Sequence, residues 1–142
     1  MAVAIMAIIS AIAVPLYDQS RKGKRADAMV SLERVVQAEQ RYSSDIIPSQ
    51  FLGSLLDGSM PSELSRYGVT SATSPGGYYN ISITAGATGS ITSSFVVTAA
   101  PLTDGQKKDV CKTFTLSNLG IRGATATGVS DADAARVMCW SK

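Results

Sequence analysis

Hydrophobic and polar positions divide this chain into three regimes. The first 17 residues, MAVAIMAIISAIAVPLY, carry no charge and only one polar residue, a serine. Past Pro15 the apolar positions become periodic. Ala28, Leu32, Val35, Tyr42 and Ile46 recur at spacings of three, four and seven, with Met29 and Val36 beside them. That spacing is one face of an α-helix. Arg21, Lys22, Lys24, Arg25, Asp27, Glu33, Arg34, Gln37, Gln40 and Arg41 fill most other positions. The pattern predicts one long helix over residues 1–47, apolar in its first half (1–17) and amphipathic in its second (18–47). Pro48 marks its end. Pro15 removes one backbone hydrogen bond and Gly23 is a second soft point, so both are candidate sites of kinking or melting.

Residues 48–77 show no period. With many serines, threonines and glycines they predict a connector that wraps the domain, with short helical turns near Phe51–Leu56 and Pro61–Tyr67. From residue 78 the period is two. Tyr78–Thr84, Ser94–Ala100 and Cys111–Leu116 read as strands linked by Gly-rich turns. The first places Tyr79, Ile81 and Ile83 on one face. The third places Cys111, Thr113 and Thr115 opposite Lys112, Phe114 and Leu116. An antiparallel sheet over 78–119 and a turn-rich tail over 120–142 complete a globular head, 48–142, in an α+β architecture.

The apolar run raises a solvent problem. At about 1.5 Å per residue, 17 residues cover roughly 25 Å, just under the ~30 Å core of a bilayer. A signal peptide would carry basic residues before the run and a small-residue cleavage pattern after it; neither is seen. A buried core helix is a second competitor, weakened because Met1–Ile9 has no polar face. The first half-helix finds no partner in its own chain and needs lipid or copies of itself.

Composition narrows the chemistry. The chain has 142 residues, 45% of them hydrophobic and 17% charged, which excludes a disordered protein. A net charge of +2 does not by itself argue for a nucleic-acid partner. There is no histidine, so the commonest general base and neutral metal ligand are missing. No nucleophile–base pair assembles without it unless lysine serves, and we expect no enzyme, no catalytic residue, no metal and no cofactor. "SPGG" at 74–77 lacks phosphate-loop spacing, and the two carboxylates of "SDAD" at 130–133 are too few for calcium. Asn80-Ile81-Ser82 fits a glycosylation acceptor but sits within a strand. Cys111 and Cys139 have no zinc-site spacing. Two buried free thiols compete with a disulfide; a disulfide is preferred, because an anchored chain with a small β-rich domain suggests export.

The stretch "VAIMAIISAIAVPLYDQSRKGKRADA" resembles the N-terminal helix of type IV pilins. The segments "YYNISIT", "FVVTAAP", "CKTFTLSNLGIRG" and the final "CW" are similar to those of pilins classed as minor, PilE-like subunits. The resemblance covers essentially the whole chain. It implies the type IV pilin fold: a long N-terminal helix on a small antiparallel meander, with a disulfide-closed C-terminal region. One departure stands out. The family's basic leader and its Phe-Thr-Leu-Ile-Glu-type mature start do not appear, so Met1 aligns a few residues into the mature helix. The family's near-N-terminal glutamate has no counterpart here.

The resemblance implies a structural filament subunit, resident in the inner membrane and then in an extracellular pilus serving adhesion, motility or DNA uptake. Val3, Ile5, Met6, Ile8, Ile9, Ile12 and Val14 would form the membrane and filament-core face. Implied partners are copies of the chain or other pilins in a helical array, an inner-membrane assembly machinery, and a prepilin peptidase acting on the precursor. Two alternatives stay open. One is a DNA-binding minor pilin of a competence system, with Lys107, Lys108, Lys112, Arg122 and Arg136 as a phosphate-binding stripe; solvated strand ends and loops are the competing account of these charges. The other is a pseudopilin of a type II secretion system, which the cysteine pair disfavours. Trp140, beside Cys139, is expected to pack on the disulfide. The cluster Arg21–Arg25 marks where the shared core ends and the subunit's own domain begins.

Overall fold

The computed structural model describes the backbone of residues 2–52 and 62–141 and the side chains of residues 16–52 and 63–141. Helix α1 spans Ala2–Asp45, 44 residues, without interruption at Pro15 or Gly23. Among the described residues, no helix is long and apolar enough to cross a membrane. The side chains of the proposed core face, Val3 to Val14, lie outside the described residues.

The amphipathic half behaves as its period predicts. Ala28, Leu32, Val35 and Val36 are buried, with Met29 and Tyr42 packed at the margin. They lie on a four-stranded antiparallel meander, β1 (Tyr79–Ala85), β2 (Phe95–Pro101), β3 (Cys111–Ser117) and β4 (Arg122–Ala126), in that spatial order. Tyr79, Ile81 and Ile83 face the helix, as do Phe95, Val97 and Ala99 opposite them. The core is rich in edge-to-face aromatic pairs, such as Tyr79–Phe114 at 5.9 Å and Phe51–Phe95 at 4.8 Å between ring centroids. A one-turn helix, α2 (Ser62–Ser65), falls within the predicted turn at 61–67; of the turn predicted at 51–56, Phe51 and Leu52 are irregular and the rest lies outside the described residues.

Three features depart from the sequence pattern. In β3, the residues facing the core are Cys111, Phe114 and Leu116 rather than one strict alternate set. The register shows why: Cys111 pairs with Ala126 but Phe114 pairs with Ala124, so β3 carries one extra residue, a bulge. Such an insertion moves the next side chain to the opposite face. Lys112 and Thr113 occupy the bulge, and Thr113 bonds Thr125 Oγ1 across the strands at 2.6 Å.

The tail, read as loop, is the second departure. It forms β4 and then helix α4 (Ala132–Trp140). Asp131 starts this helix by accepting from the Asp133 and Ala134 amides, so the acidic "SDAD" stretch works as an N-cap. The Cys111–Cys139 disulfide ties α4 to the start of β3, with Cα atoms 5.8 Å apart. Closing a loop of this length stabilises by roughly 3–4 kcal/mol on the chain-entropy account. Trp140 packs edge-to-face on Phe114, and its indole N–H donates to the Gly123 carbonyl at 2.8 Å. The third departure is a short helix, α3 (Asp104–Lys107), within the loop between β2 and β3; Thr103 caps it.

Candidate functional site

Contacts along α1 give the molecule an axis. At Arg21 the helix carbonyl accepts from Gln106 of α3. Arg25 meets Asp109, Asp27 meets the Gly76 amide, Glu33 meets Arg122, Glu39 meets Leu52 and Asp45 meets Tyr67. Leu16 and Tyr17, one turn below Arg21, are 62% and 67% exposed. Among the described residues, Arg21 of the basic cluster is thus the first to meet the domain.

Arg25 is not on the solvated face. Its guanidinium makes a two-pronged contact with Asp109, at 2.7 and 2.5 Å, and both side chains are buried. The fork geometry suits a carboxylate. Gln106, also buried, donates through its amide to the Tyr79 hydroxyl at 2.6 Å and to Asp109 at 3.1 Å. Hydrogen bonding to Asp109 raises the Arg25 pKa against the opposing effect of burial. Burial acts to raise the Asp109 carboxyl, but the Arg25 hydrogen bonds and charge outweigh it and hold it below the usual range. Burial pushes the Tyr79 hydroxyl up to about 12. Nothing here has the exposure or the paired groups of a reaction centre; the network locks the helix to the β2–β3 corner.

Glu39 is a second buried charge, set on the apolar stripe four residues after Val35 and three before Tyr42. One carboxyl oxygen accepts from the Leu52 amide at 2.8 Å; the other has no hydrogen-bond partner among the described residues. Burial raises this carboxyl to about 7, with the Leu52 bond opposing. It pins the segment after α1 to the helix.

The five candidate basic residues split into two groups. Lys107 and Lys108 lie at the end of α3, and Lys112 lies on β3, the next element. Lys112 donates to the Lys107 carbonyl at 2.5 Å, and Lys107 lies 3.4 Å from Asp104. Arg122 and Arg136 sit higher. Arg122 pairs in register with Leu116, four residues along β3 from Lys112, or about 13 Å. Arg122 is held by Glu33 at 3.4 Å and by the Trp140 ring, and Arg136 by Asp133 at 3.3 Å. Arg122 and Arg136 line one cavity with Asp133, and each has an acidic partner of its own.

Among the described residues, no group of three or more histidine, cysteine or acidic side chains is placed to hold a metal ion.

Comparison with known proteins places these features. A family model described as "Type IV minor pilin ComP, DNA uptake sequence receptor" matches residues 15–115. A solved structure, described as "High-Resolution Structure of a Type IV Pilin from Shewanella oneidensis", is similar at 24% identity with a TM-score of 0.50. The alignment covers 86% of this chain and 99% of that one, and at this identity it speaks for the fold. No curated protein matches. Both findings describe structural rather than enzymatic proteins. The long helix, the four-stranded meander and the disulfide fit the pilin fold, and the family match spans well over half the chain: this protein belongs to the type IV minor pilin ComP family and is a subunit of a type IV pilus.

Proposed function

We propose that the chain enters its filament through the apolar half of α1, with Val3, Ile5, Met6, Ile8, Ile9, Ile12 and Val14 at the shared core. The observation that supports this is the axis just described: among the described residues the first contact with the domain is at Arg21, and Leu16 and Tyr17 below it are exposed. Before assembly this half is solvated by the lipid of the inner membrane, where a prepilin peptidase matures the precursor and an assembly machinery extracts it. In the filament, sister helices replace lipid. At about 25 cal/mol per Å², burial of these side chains contributes many kcal/mol per subunit before ordering costs. Pro15 and Gly23 are then the points at which the helix unwinds as subunits pack.

Replacing Ile8 and Ile12 together by aspartate should abolish filaments while the globular head keeps its melting temperature. Normal filaments from this variant, seen by electron microscopy, would rule out an apolar helix core.

A second reading is an added role in binding DNA. Two observations favour it: the matched family is described as a DNA uptake sequence receptor, and Lys107, Lys108 and Lys112 lie within six residues of chain, with Lys112 bonded back to the Lys107 carbonyl. Three phosphate contacts give a salt slope near −2.7, so affinity for duplex DNA should fall about 40-fold between 50 and 200 mM salt. Full chain in detergent should show this loss, and a Lys107→Gln/Lys108→Gln chain should bind more weakly with a shallower slope. No binding at 50 mM salt would remove the reading.

A further inference from the structure

The two ends of the part of α1 that lies on the domain present surfaces of opposite shape. At the upper end, Ile47 stands 99% exposed just past the helix. A large aliphatic side chain this bare is uncommon enough to ask what covers it. Asp45, whose carboxylate accepts from Tyr67 at 2.6 Å, closes the helix beside it. At the lower end, a groove of about 480 Å³ opens between α1 and the end of α4. Ala26, Met29, Val110 and Met138 line it, and Lys22 stands with them. An apolar knob beside an acidic residue at one end faces, by translation along the axis, an apolar groove beside a basic residue at the other.

We propose that in the filament Ile47 of one copy seats in the basal groove of the copy stacked above it, with Asp45 approaching Lys22. This inference rests on the filament reading and adds a specific longitudinal contact to it. The occupant is a second copy because knob and groove belong to the same chain, differ in shape and carry opposite charge. A contact between two different patches is heterologous, and unless its rotation closes a ring it propagates into an open helical array. The geometry sets a repeat. The 23 positions from Lys22 to Asp45, the charges that would meet, rise about 35 Å along the helix, so contacting copies are about 35 Å apart axially.

Both native cysteines are paired, so introduced thiols report cleanly. An Ile47→Cys/Ala26→Cys chain, treated as sheared filaments with a short thiol cross-linker, should give a ladder of covalent multimers. Each single variant should give monomer only. In parallel, Ile47→Asp should reduce filament yield at least about tenfold, the order expected for losing one buried isoleucine. Its melting temperature should be unchanged, because the residue touches little of its own domain. Filaments of the double-cysteine chain that yield only monomers, or native yield from Ile47→Asp, would overturn the contact and leave the filament reading standing. Failure of the unmodified chain to form filaments would overturn both, and is separately visible.

Discussion

Replacing Arg25 by methionine should destabilise the protein by about 4 kcal/mol at pH 7, because removing one partner of a buried pair strands the other charge. Asp109 is held by the two guanidinium bonds and lies inside the domain, with Gln106 and the Cys111 amide as its remaining partners. For a domain of this size the loss should lower the melting temperature by about 15 °C. Arg25→Met/Asp109→Asn should recover much of the loss, since no uncompensated charge then remains. The acid response also reverses. In the native protein the Asp109 pKa is depressed, so its stabilisation is present above the unfolded carboxyl value and is lost as pH falls through the folded one. In Arg25→Met, burial, the largest influence on Asp109, is opposed only by the remaining amide hydrogen bonds, so that pKa rises and stability falls as pH rises above about 4. Thermal melts from pH 3 to 8 would show the change of sign. A variant that melts within 3 °C of the native protein at pH 7 would show that the pair contributes nothing to holding the helix on the sheet.

Glu39→Gln should do the opposite and stabilise the protein at pH 8. Burial lifts the folded Glu39 carboxyl to about 7, above its unfolded value. The unfolded chain therefore releases this proton first, and native stability declines as pH rises from about 4.5 to about 7. The decline amounts to about 2–3 kcal/mol for a shift of this size. Glutamine keeps an oxygen for the Leu52 amide and has no charge to bury. Its melting temperature should exceed the native one at pH 8 and match it at pH 4.5. Equal destabilisation at both values would mean that the ionised carboxylate is itself a favourable part of the fold. The two carboxylates thus give the protein opposing pH responses: Asp109 adds stability as pH rises out of the acid range, and Glu39 removes it as pH approaches neutrality.

Both buried charges show where reading by period stops. A helical wheel places Arg25 between Leu32 and Val36, on the apolar stripe, but the period does not say which partner makes a buried guanidinium tolerable. Its burial depends on Asp109, 84 positions away, and on α3 closing over both. Gln106 likewise looked like loop until α3 placed it between Tyr79 and Arg21. The β3 bulge is another case: one inserted residue between Cys111 and Phe114 moves the core face, and only pairing with β4 shows it.

The local chemistry was legible from the residues alone. Apolar spacing at three and four specified the helix and its buried stripe. Alternation at Tyr79, Ile81 and Ile83 specified the first strand and the face it turns inward. The absence of histidine removed the usual catalytic constellations, and a solvent-seeking apolar run pointed to assembly. These properties follow from periods of 3.6 and 2, which act over a few residues. Which partner holds each buried charge, that Arg122 and Arg136 each take an acidic partner, and that Ile47 stands bare past α1 were decided only by tertiary packing. Each depends on groups brought together by chain reversal, and no local period records what lies across the fold.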